Sequence, residues 1–160
     1  MGHARGDHRV MRKRLIPAVM LAAYGAVVIR ILVFKIELIR IGPLRFRFSQ
    51  HAGEASFVPF KSILSYLRGE PMGLIAILNI FGNIALFVPI GFLVPFILQG
   101  VTWRTALALA VAAGLAIEAT QVVLGVGIFD IDDVLLNALG VMIGYGAFGL
   151  FVEKGSRKGS

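Results

Sequence analysis

An acidic turn at residues 129–133, FDIDD, followed by Asn137, is the densest group of chemically versatile side chains in the chain. Carboxylates can exchange protons with a substrate or coordinate a hard cation such as Mg²⁺ or Ca²⁺. Three carboxylates within four residues repel one another, and a divalent cation would relieve that repulsion. They can instead cap the start of the following helix, where free N–H groups favour negative charge. Asp130, Asp132 and Asp133 are therefore candidate metal ligands or catalytic groups, and also candidate helix caps.

Two other apolar segments carry polar residues of the kind that hydrocarbon penalises. Asn79 and Asn83 are four residues apart, and Glu118 and Gln121 are three apart, so each pair shares one face of its helix. At about 1.5 Å of rise per residue, these residues and Asn137 lie within roughly 14 Å of the same end of their helices. We therefore expect three helices to turn polar faces toward one another and to line one polar cavity that opens to the extracytoplasmic face.

Glu118 most requires an explanation, because a charged residue at the centre of a membrane span costs at least about 2.5–3.5 kcal/mol on insertion scales. Arg30 is the one basic residue inside an apolar run and lies near the same end. One expectation is a structural Arg30–Glu118 ion pair, and the other is that Glu118 acts as a ligand or a general acid/base. Arg30 could also extend to the lipid headgroups. The candidate binding residues are Asn79, Asn83, Glu118, Gln121, Asp130, Asp132, Asp133, Asn137 and Arg30, and the candidate catalytic residues are Glu118, Asp130, Asp132 and Asp133.

The composition indicates a membrane protein. The chain has 160 residues, enough for a single domain over residues 1–160, with a mean hydropathy of +0.84 and 16% charged residues, whereas soluble domains carry about 25% charge. It has no cysteine, which excludes disulfides, thiolate catalysis and cysteine-ligated zinc.

Four apolar runs approach the roughly 20 residues that a bilayer core requires, at about residues 15–34, 74–98, 105–125 and 134–152. The sequence predicts an all-α membrane protein, a four-transmembrane-helix bundle with an extracytoplasmic loop and amphipathic helix between helices 1 and 2.

The basic residues predict how this bundle is inserted. Cytoplasmic segments of membrane proteins carry an excess of Lys and Arg. With both termini in the cytoplasm, nine basic residues lie inside and six lie outside, all six in the long first loop. The nine are Arg5, Arg9, Arg12, Lys13, Arg14, Arg104, Lys154, Arg157 and Lys158. We predict cytoplasmic termini that contact lipid headgroups, and no nucleic-acid partner, because no basic patch is set in a soluble fold.

The first loop, residues 35–73, contains two short patterned segments. Residues 45–48, RFRF, alternate in polarity and predict a short strand or an interfacial ribbon. Residues 60–68 predict an amphipathic helix that lies in the headgroup plane, packs as a cap over the outer end of the bundle, or does both. Its apolar face would comprise Phe60, Ile63, Leu64 and Leu67, and its polar face Lys61, Ser65 and Arg68.

Gly140 and Gly144 form a G-x-x-x-G pattern in the last apolar run. Small residues at this spacing let two helices approach closely. We expect this pattern to serve packing inside the bundle rather than dimerisation.

The order and spacing of these motifs resemble the VanZ-like family of bacterial integral membrane proteins. The resemblance covers residues 56–145. It comprises VPF at 58–60, N-x-x-G-N-x-x-L-F-x-P-x-G at 79–91, E-x-x-Q at 118–121, and FDIDD at 129–133 followed by Asn137, Gly140, Gly144 and Tyr145. The family's namesake is associated with resistance to the glycopeptide teicoplanin. The resemblance thus implies a multi-pass protein of the bacterial cytoplasmic membrane that acts on the cell envelope, with the lipid bilayer and a lipid-linked cell-wall precursor or a glycopeptide as partners.

Two positions depart from the pattern of that family. Gly127 stands where an arginine is expected before the acidic motif, and Ser56 stands where an asparagine is expected before the Pro-Phe motif. If the arginine of the relatives holds an anion, then Arg45, Arg47 or Lys61 would have to replace it in this chain.

The sequence leaves three classes of function open. A non-enzymatic protein that modifies envelope access or antibiotic susceptibility is favoured. A membrane-embedded enzyme acting on a lipid-linked phosphate or an envelope glycan is the next, with Glu118 as the acid/base and the three aspartates holding a divalent cation, the one cofactor candidate. A small transporter is third, because the inner halves of the spans carry few polar residues to line a path.

Overall fold

Five α-helices and one two-stranded antiparallel ribbon form the described part of this computed structural model, which covers residues 3–33, 39–41, 44–46, 55–68 and 73–157. The elements are α1 (His3–Val33), β1 (Ile39–Ile41), β2 (Leu44–Phe46), α2 (Lys61–Leu67), α3 (Gly73–Ile97), α4 (Trp103–Val123) and α5 (Ile131–Arg157). Within the described residues, α1, α3, α4 and α5 are each long and apolar enough to cross a membrane. The predicted bundle of four membrane-spanning helices is therefore confirmed.

The helix boundaries differ from those of the predicted apolar runs. For α4, local caps explain both ends. The helical part of α1 extends well before the apolar run, whose membrane-compatible stretch is Arg14–Leu32. Helix α4 begins after Thr102, whose hydroxyl accepts the backbone N–H of Thr105 as an N-cap. It ends at Val123, before the expected limit, because Gly125 takes the left-handed conformation with φ 63° that commonly stops a helix.

Helices α3 and α5 pack closely through glycines. A Cβ atom at Gly140 would overlap the carbonyl oxygen of Ile84, and one at Gly144 would overlap that of Val88. A Cβ at Gly91 on α3 would in turn overlap the backbone of α5. The G-x-x-x-G pattern thus serves packing within the chain, as expected.

The remaining helices join this pair around a small apolar core. The core comprises Val28, Leu32, Phe87, Ala110, Ala138 and Val141. Helix α1 is attached to α3 by the Tyr24 hydroxyl, which donates to the Leu86 carbonyl at 3.0 Å. Helix α4 lies against α5 at Gly114, where a Cβ would come within 3.0 Å of the Val134 side chain. These contacts fix the relative positions of the helices that carry the polar residues.

The segment between α1 and α3 contains both of the expected short elements. Strands β1 and β2 pair with Ile39 opposite Phe46 and Ile41 opposite Leu44, so β2 covers the first half of the predicted RFRF strand, and residues 47 and 48 lie outside the described part. The amphipathic helix is present as α2. Its buried face differs from the one expected: Ser62 and Tyr66 are buried, whereas Phe60, Leu64 and Leu67 are 57%, 49% and 71% exposed. Helix α2 thus packs on α3 and α5 through polar residues and turns its apolar side outward.

Candidate functional site

The polar residues singled out in the three apolar segments meet at one end of the bundle. They lie in the N-terminal half of α3, the C-terminal end of α4 and the first turns of α5. Each of the eight is at most 6% exposed: Asn79, Asn83, Glu118, Gln121, Asp130, Asp132, Asp133 and Asn137. The expectation that three helices turn polar faces toward one another is therefore met by the described residues.

A hydrogen bond between side chains ties α3 to α5 within this cluster. The Asn83 side-chain amide donates to Asp133 Oδ1 at 2.9 Å, and both side chains are buried. The close glycine-mediated packing of the two helices brings these side chains within reach of each other.

Glu118 joins α4 to the start of α5. Its Oε2 atom accepts the backbone N–H of Asp130 at 2.9 Å. Asp130 immediately precedes α5, and its own Oδ1 accepts the backbone N–H of Asp132 at 2.9 Å, the geometry of an N-cap. One of the three aspartates is thus a cap of its own helix, and the glutamate of the neighbouring helix holds that cap in place.

Asp132 caps a different helix. Its two carboxylate oxygens accept the backbone N–H groups of Phe60, Ser62 at 2.8 Å and Ile63 at 3.0 Å. These N–H groups belong to the start of α2, where no helical carbonyl is available to them. Phe60 supplies no side-chain cap and has a left-handed backbone with φ 67°. The cap that α2 lacks in its own sequence is therefore provided by α5.

The segment before α2 is fastened to the same turn by backbone hydrogen bonds. The Ser56 N–H donates to the Phe129 carbonyl at 2.8 Å, and the Ile131 N–H donates to the Ser56 carbonyl at 3.0 Å. The rings of Phe57 and Phe129 stack with their centroids 4.9 Å apart. Residues 55–68 thus form a cover over the polar cluster, which is closed rather than the open cavity that the sequence suggested.

Three residues of this cover belong to the site although the sequence did not single them out as site residues. The Ser62 hydroxyl donates to Asp130 Oδ2 at 2.6 Å. Tyr66 is buried, and burial, followed by the negative charge of Asp133, raises the pKa of its phenol; a hydrogen bond from the Asn79 side chain opposes the shift. The third, Ser56, was noted only as a departure from a family pattern. The sequence gives little signal for these residues, because Ser is mostly exposed in proteins and Tyr is intermediate.

Arg30 is not part of the cluster. Its side chain is exposed on α1, whereas Val28 and Leu32 on either side of it are buried in the core. The contact that α1 makes to the site is instead a backbone one, since the Gln121 side-chain amide donates to the Leu32 carbonyl at 3.0 Å. The expected Arg30–Glu118 pair is therefore not what the structure shows, and the exposed position suits a side chain that extends to headgroups.

The aspartates do not form a metal-ligand set in the described part of the chain. Asp130 and Asp132 both direct their two oxygens to N–H or O–H donors. No group of three His, Asp or Glu side chains among the described residues is arranged to hold a metal ion. The donor set that the sequence suggested for a divalent cation thus does not fit one here, and we derive no step through a metal.

Four buried oxygen atoms have no hydrogen-bond partner within the described structure: Ser56 Oγ, Asn79 Oδ1, Gln121 Oε1 and Asn137 Oδ1. Leaving a buried acceptor unpaired costs about 1–3 kcal/mol. Three of these atoms are amide oxygens, one from each of α3, α4 and α5. The cluster therefore combines carboxylates that are engaged with donors and amide acceptors that are not.

The two departures from the family pattern have distinct positions. Gly127 lies in the turn after α4, where its N–H donates to the Gln121 carbonyl at 3.3 Å, and it brings no positive charge to the site. Lys61 is exposed on α2. The side chain of Arg45 and residue Arg47 lie outside the described part.

The comparisons with known proteins agree with this architecture. No curated protein and no solved structure shows significant similarity to the chain. The family model described as VanZ/LLP1 matches residues 21–152. This range includes every residue of the polar cluster and all of the four-helix bundle except residues 3–20 of α1 and 153–157 of α5. The chain therefore belongs to the VanZ/LLP1 family of membrane proteins.

Proposed function

We propose that this protein is a non-enzymatic binding protein of the bacterial cytoplasmic membrane. Its polar cluster binds a donor-rich group of a cell-envelope amphiphile, such as a lipid-linked cell-wall precursor. By holding this amphiphile, the protein alters the envelope and lowers susceptibility to teicoplanin-type glycopeptides. One observation carries the proposal: Asn79, Gln121 and Asn137 each present a buried amide oxygen without a partner in the described structure.

The unpaired atoms indicate the chemistry of the ligand. Amide oxygens accept hydrogen bonds from hydroxyl, amide and ammonium groups. Sugars and peptides of envelope precursors are rich in such donors, and a bound donor would remove the penalty of leaving the acceptors unpaired. The cluster would take the sugar or peptide part of such a precursor and not its phosphate, because Gly127 supplies no positive charge to hold an anion.

The contacts favour binding over catalysis. Glu118 is 1% exposed and accepts the backbone N–H of Asp130, and Asp132 caps α2, so both carboxylates hold the cover and the turn together. An acid/base would need a contact with a substrate proton. The alternative is a membrane-embedded enzyme that acts on a lipid-linked or envelope substrate. Turnover of such a substrate by the purified protein would show that this alternative is right and the binding proposal wrong.

The proposal is tested with a variant that removes one unpaired acceptor without emptying its site. Asn137→Leu replaces the amide by an apolar group of similar size, and Leu139→Ala on the exposed side of α5 is the matched control. Both are expressed in a teicoplanin-susceptible bacterium without a relative of its own, and the minimal inhibitory concentration is measured. We expect wild type and Leu139→Ala to raise it and Asn137→Leu to return it to the vector level.

Protein amount and stability separate a binding role from a structural one. Removing an unpaired buried acceptor should leave the unfolding temperature of Asn137→Leu equal to or above that of wild type. If the antibiotic effect instead falls only in proportion to folded protein, Asn137 is a packing residue and the binding proposal is wrong. The same conclusion follows if Asn137→Leu keeps the full effect.

A further inference from the structure

The cover of the polar cluster, residues 55–68, has a second side that faces outward. Its inward side is polar, since Ser62 and Tyr66 are buried where α2 packs on α3 and α5. Large exposed apolar surfaces mark contacts with a membrane or with another protein. Five large apolar side chains, each between 49% and 71% exposed, form what we call the outer face of the cover: Phe57, Val58, Phe60, Leu64 and Leu67.

The cover lies at the boundary of the membrane-spanning stretches. Tyr66 is hydrogen-bonded to Asn79, three residues inside the apolar stretch Ala76–Ile97 of α3. Ser62 is hydrogen-bonded to Asp132, the second residue of the apolar stretch of α5. At about 1.5 Å of rise per residue, Asn79 is only about 5 Å from the end of its stretch. A segment packed against these first turns is close to the lipid headgroups.

The charges beside the outer face are all basic. Lys61 and Arg68 are exposed at the two ends of α2, and residues 55–68 contain no Asp or Glu. Both side chains can lay their stems on apolar surface while their charges reach the headgroup phosphates. Each Lys or Arg near an anionic bilayer surface strengthens binding about fivefold. Amphipathic segments with Lys or Arg beside Phe and Leu are typical of the bilayer interface.

A protein partner fits this face less well. In a two-fold symmetric dimer the same patch would face itself, so that Lys61 and Arg68 would approach the same cations of the second copy. Lysine is also depleted from the cores of interfaces between proteins. An anionic lipid surface accepts both the apolar side chains and the two charges.

We propose that the outer face of the cover is inserted in the headgroup region of the bilayer beside the bundle, and that Lys61 and Arg68 bind anionic lipids there. The two sides of the cover then have different partners. The polar side closes the cluster, and the apolar side anchors the cover in the leaflet at that end of the bundle. This inference does not depend on what the cluster binds.

Fluorescence quenching in lipid nanodiscs tests the insertion. The chain has no cysteine, so Leu67→Cys provides a single site for a bimane label in the full protein. Leu109→Cys, at an exposed position within α4, is the reference for a label in lipid. Because the apolar face of an interfacial segment is buried about 5–10 Å into the headgroup boundary, brominated acyl chains should quench the label at Leu67→Cys at least about half as strongly as the reference. Iodide in the water should quench both labels weakly.

The choice of lipid is tested in the same labelled protein. Bromine is placed on either phosphatidylglycerol or phosphatidylcholine at equal mole fractions. The bromine on phosphatidylglycerol should quench at least about twofold more, because the anionic lipid is enriched near the two cations. The double substitution Lys61→Gln/Arg68→Gln should remove this difference. Arg104→Gln, which removes an exposed charge at the opposite end of the bundle, should leave it unchanged.

Three results would overturn the proposal. Strong quenching of Leu67→Cys by iodide and not by brominated chains would place the outer face in water. Protection from both quenchers would show that protein covers this face, and disulfide formation between copies of unlabelled Leu67→Cys would identify that protein as a second copy. Equal quenching by the two lipids before Lys61 and Arg68 are changed would refute the binding of anionic lipids. If Leu67→Cys does not fold, Leu64→Cys is held to the same criteria.

Discussion

The Asp132 carboxylate accepts the backbone N–H of Ser62 at 2.8 Å, although 70 positions of chain separate the two residues. Through this contact, an aspartate at the start of one helix caps the start of another. The acidic motif that first suggested a metal site is thus the anchor of the segment that covers the polar cluster. The closure of the site depends on a few hydrogen bonds to this motif.

Asp132→Asn should release the cover. An amide offers one acceptor oxygen and turns an NH₂ group toward N–H donors, so at least one charge-assisted hydrogen bond is lost, and each is worth about 1.5–3 kcal/mol. We expect faster hydrogen exchange in residues 60–68, measured by mass spectrometry. Thr102→Ala removes an ordinary cap of α4 and should leave that exchange unchanged. Equal exchange in wild type and Asp132→Asn would show that the cover does not depend on Asp132.

Tyr66 should make the protein sensitive to alkaline pH. Burial and the nearby aspartates raise the pKa of its phenol above the ordinary value of about 10. A group whose pKa is higher in the folded state contributes stability that is complete below the unfolded pKa and is lost as pH rises toward the folded pKa. The unfolding temperature of wild type should therefore fall above about pH 10 more steeply than that of Tyr66→Phe.

Leu64→Ala, at an exposed position of the same helix, is the control for this titration. It removes no titratable group, and its profile should follow wild type. Parallel profiles of wild type and Tyr66→Phe between pH 8 and pH 11 would contradict the prediction.

Glu118→Gln should destabilise the protein, and Arg30→Gln should not rescue it. The amide can turn its NH₂ group toward the Asp130 N–H, and a buried donor left without its partner costs about 1–3 kcal/mol. Arg30 is exposed on α1, so the two substitutions should be additive in the free energy of unfolding within about 0.5 kcal/mol. If the double variant is markedly more stable than Glu118→Gln alone, the Arg30–Glu118 ion pair that the sequence suggested is supported instead.

Gly140→Ala should disrupt the packing of α3 on α5. Its Cβ would overlap the Ile84 carbonyl, a backbone atom that cannot turn aside, and forced overpacking typically costs about 1–3 kcal/mol or more. Gly146→Ala is the matched control on the same helix, because a Cβ there meets nothing within 4 Å. It should stabilise the protein by about 0.5–1 kcal/mol through helix propensity. Equal unfolding temperatures for the two variants would contradict this account of the helix contact.

Both termini should be cytoplasmic, because nine basic residues then lie inside against six outside. A cysteine introduced at Gly53 should react with a membrane-impermeant thiol reagent in intact cells, and one introduced at Gly159 should react only after the membrane is opened. Labelling of the Gly159 variant in intact cells would reverse the assignment.

The sequence alone was sufficient for the helices that cross the membrane and for the residues of the polar cluster. The length of an apolar run determines whether a helix can span a bilayer, and hydrocarbon penalises Asn79 or Glu118 unless protein surrounds it. Helical spacing then places Asn79 with Asn83, and Asp133 with Asn137, on one face of their helices. These properties depend on the local sequence and not on how distant parts of the chain are arranged.

Only the tertiary structure decided which partner each polar group has. Glu118 was expected to face Arg30, but α1 turns Arg30 outward and the glutamate accepts a backbone N–H instead. Asp132 reaches α2 because Ser56 pairs with the turn before α5, a contact that no spacing in the sequence encodes. Partners of this kind depend on distances between segments far apart in the chain, and those distances exist only once the helices have packed.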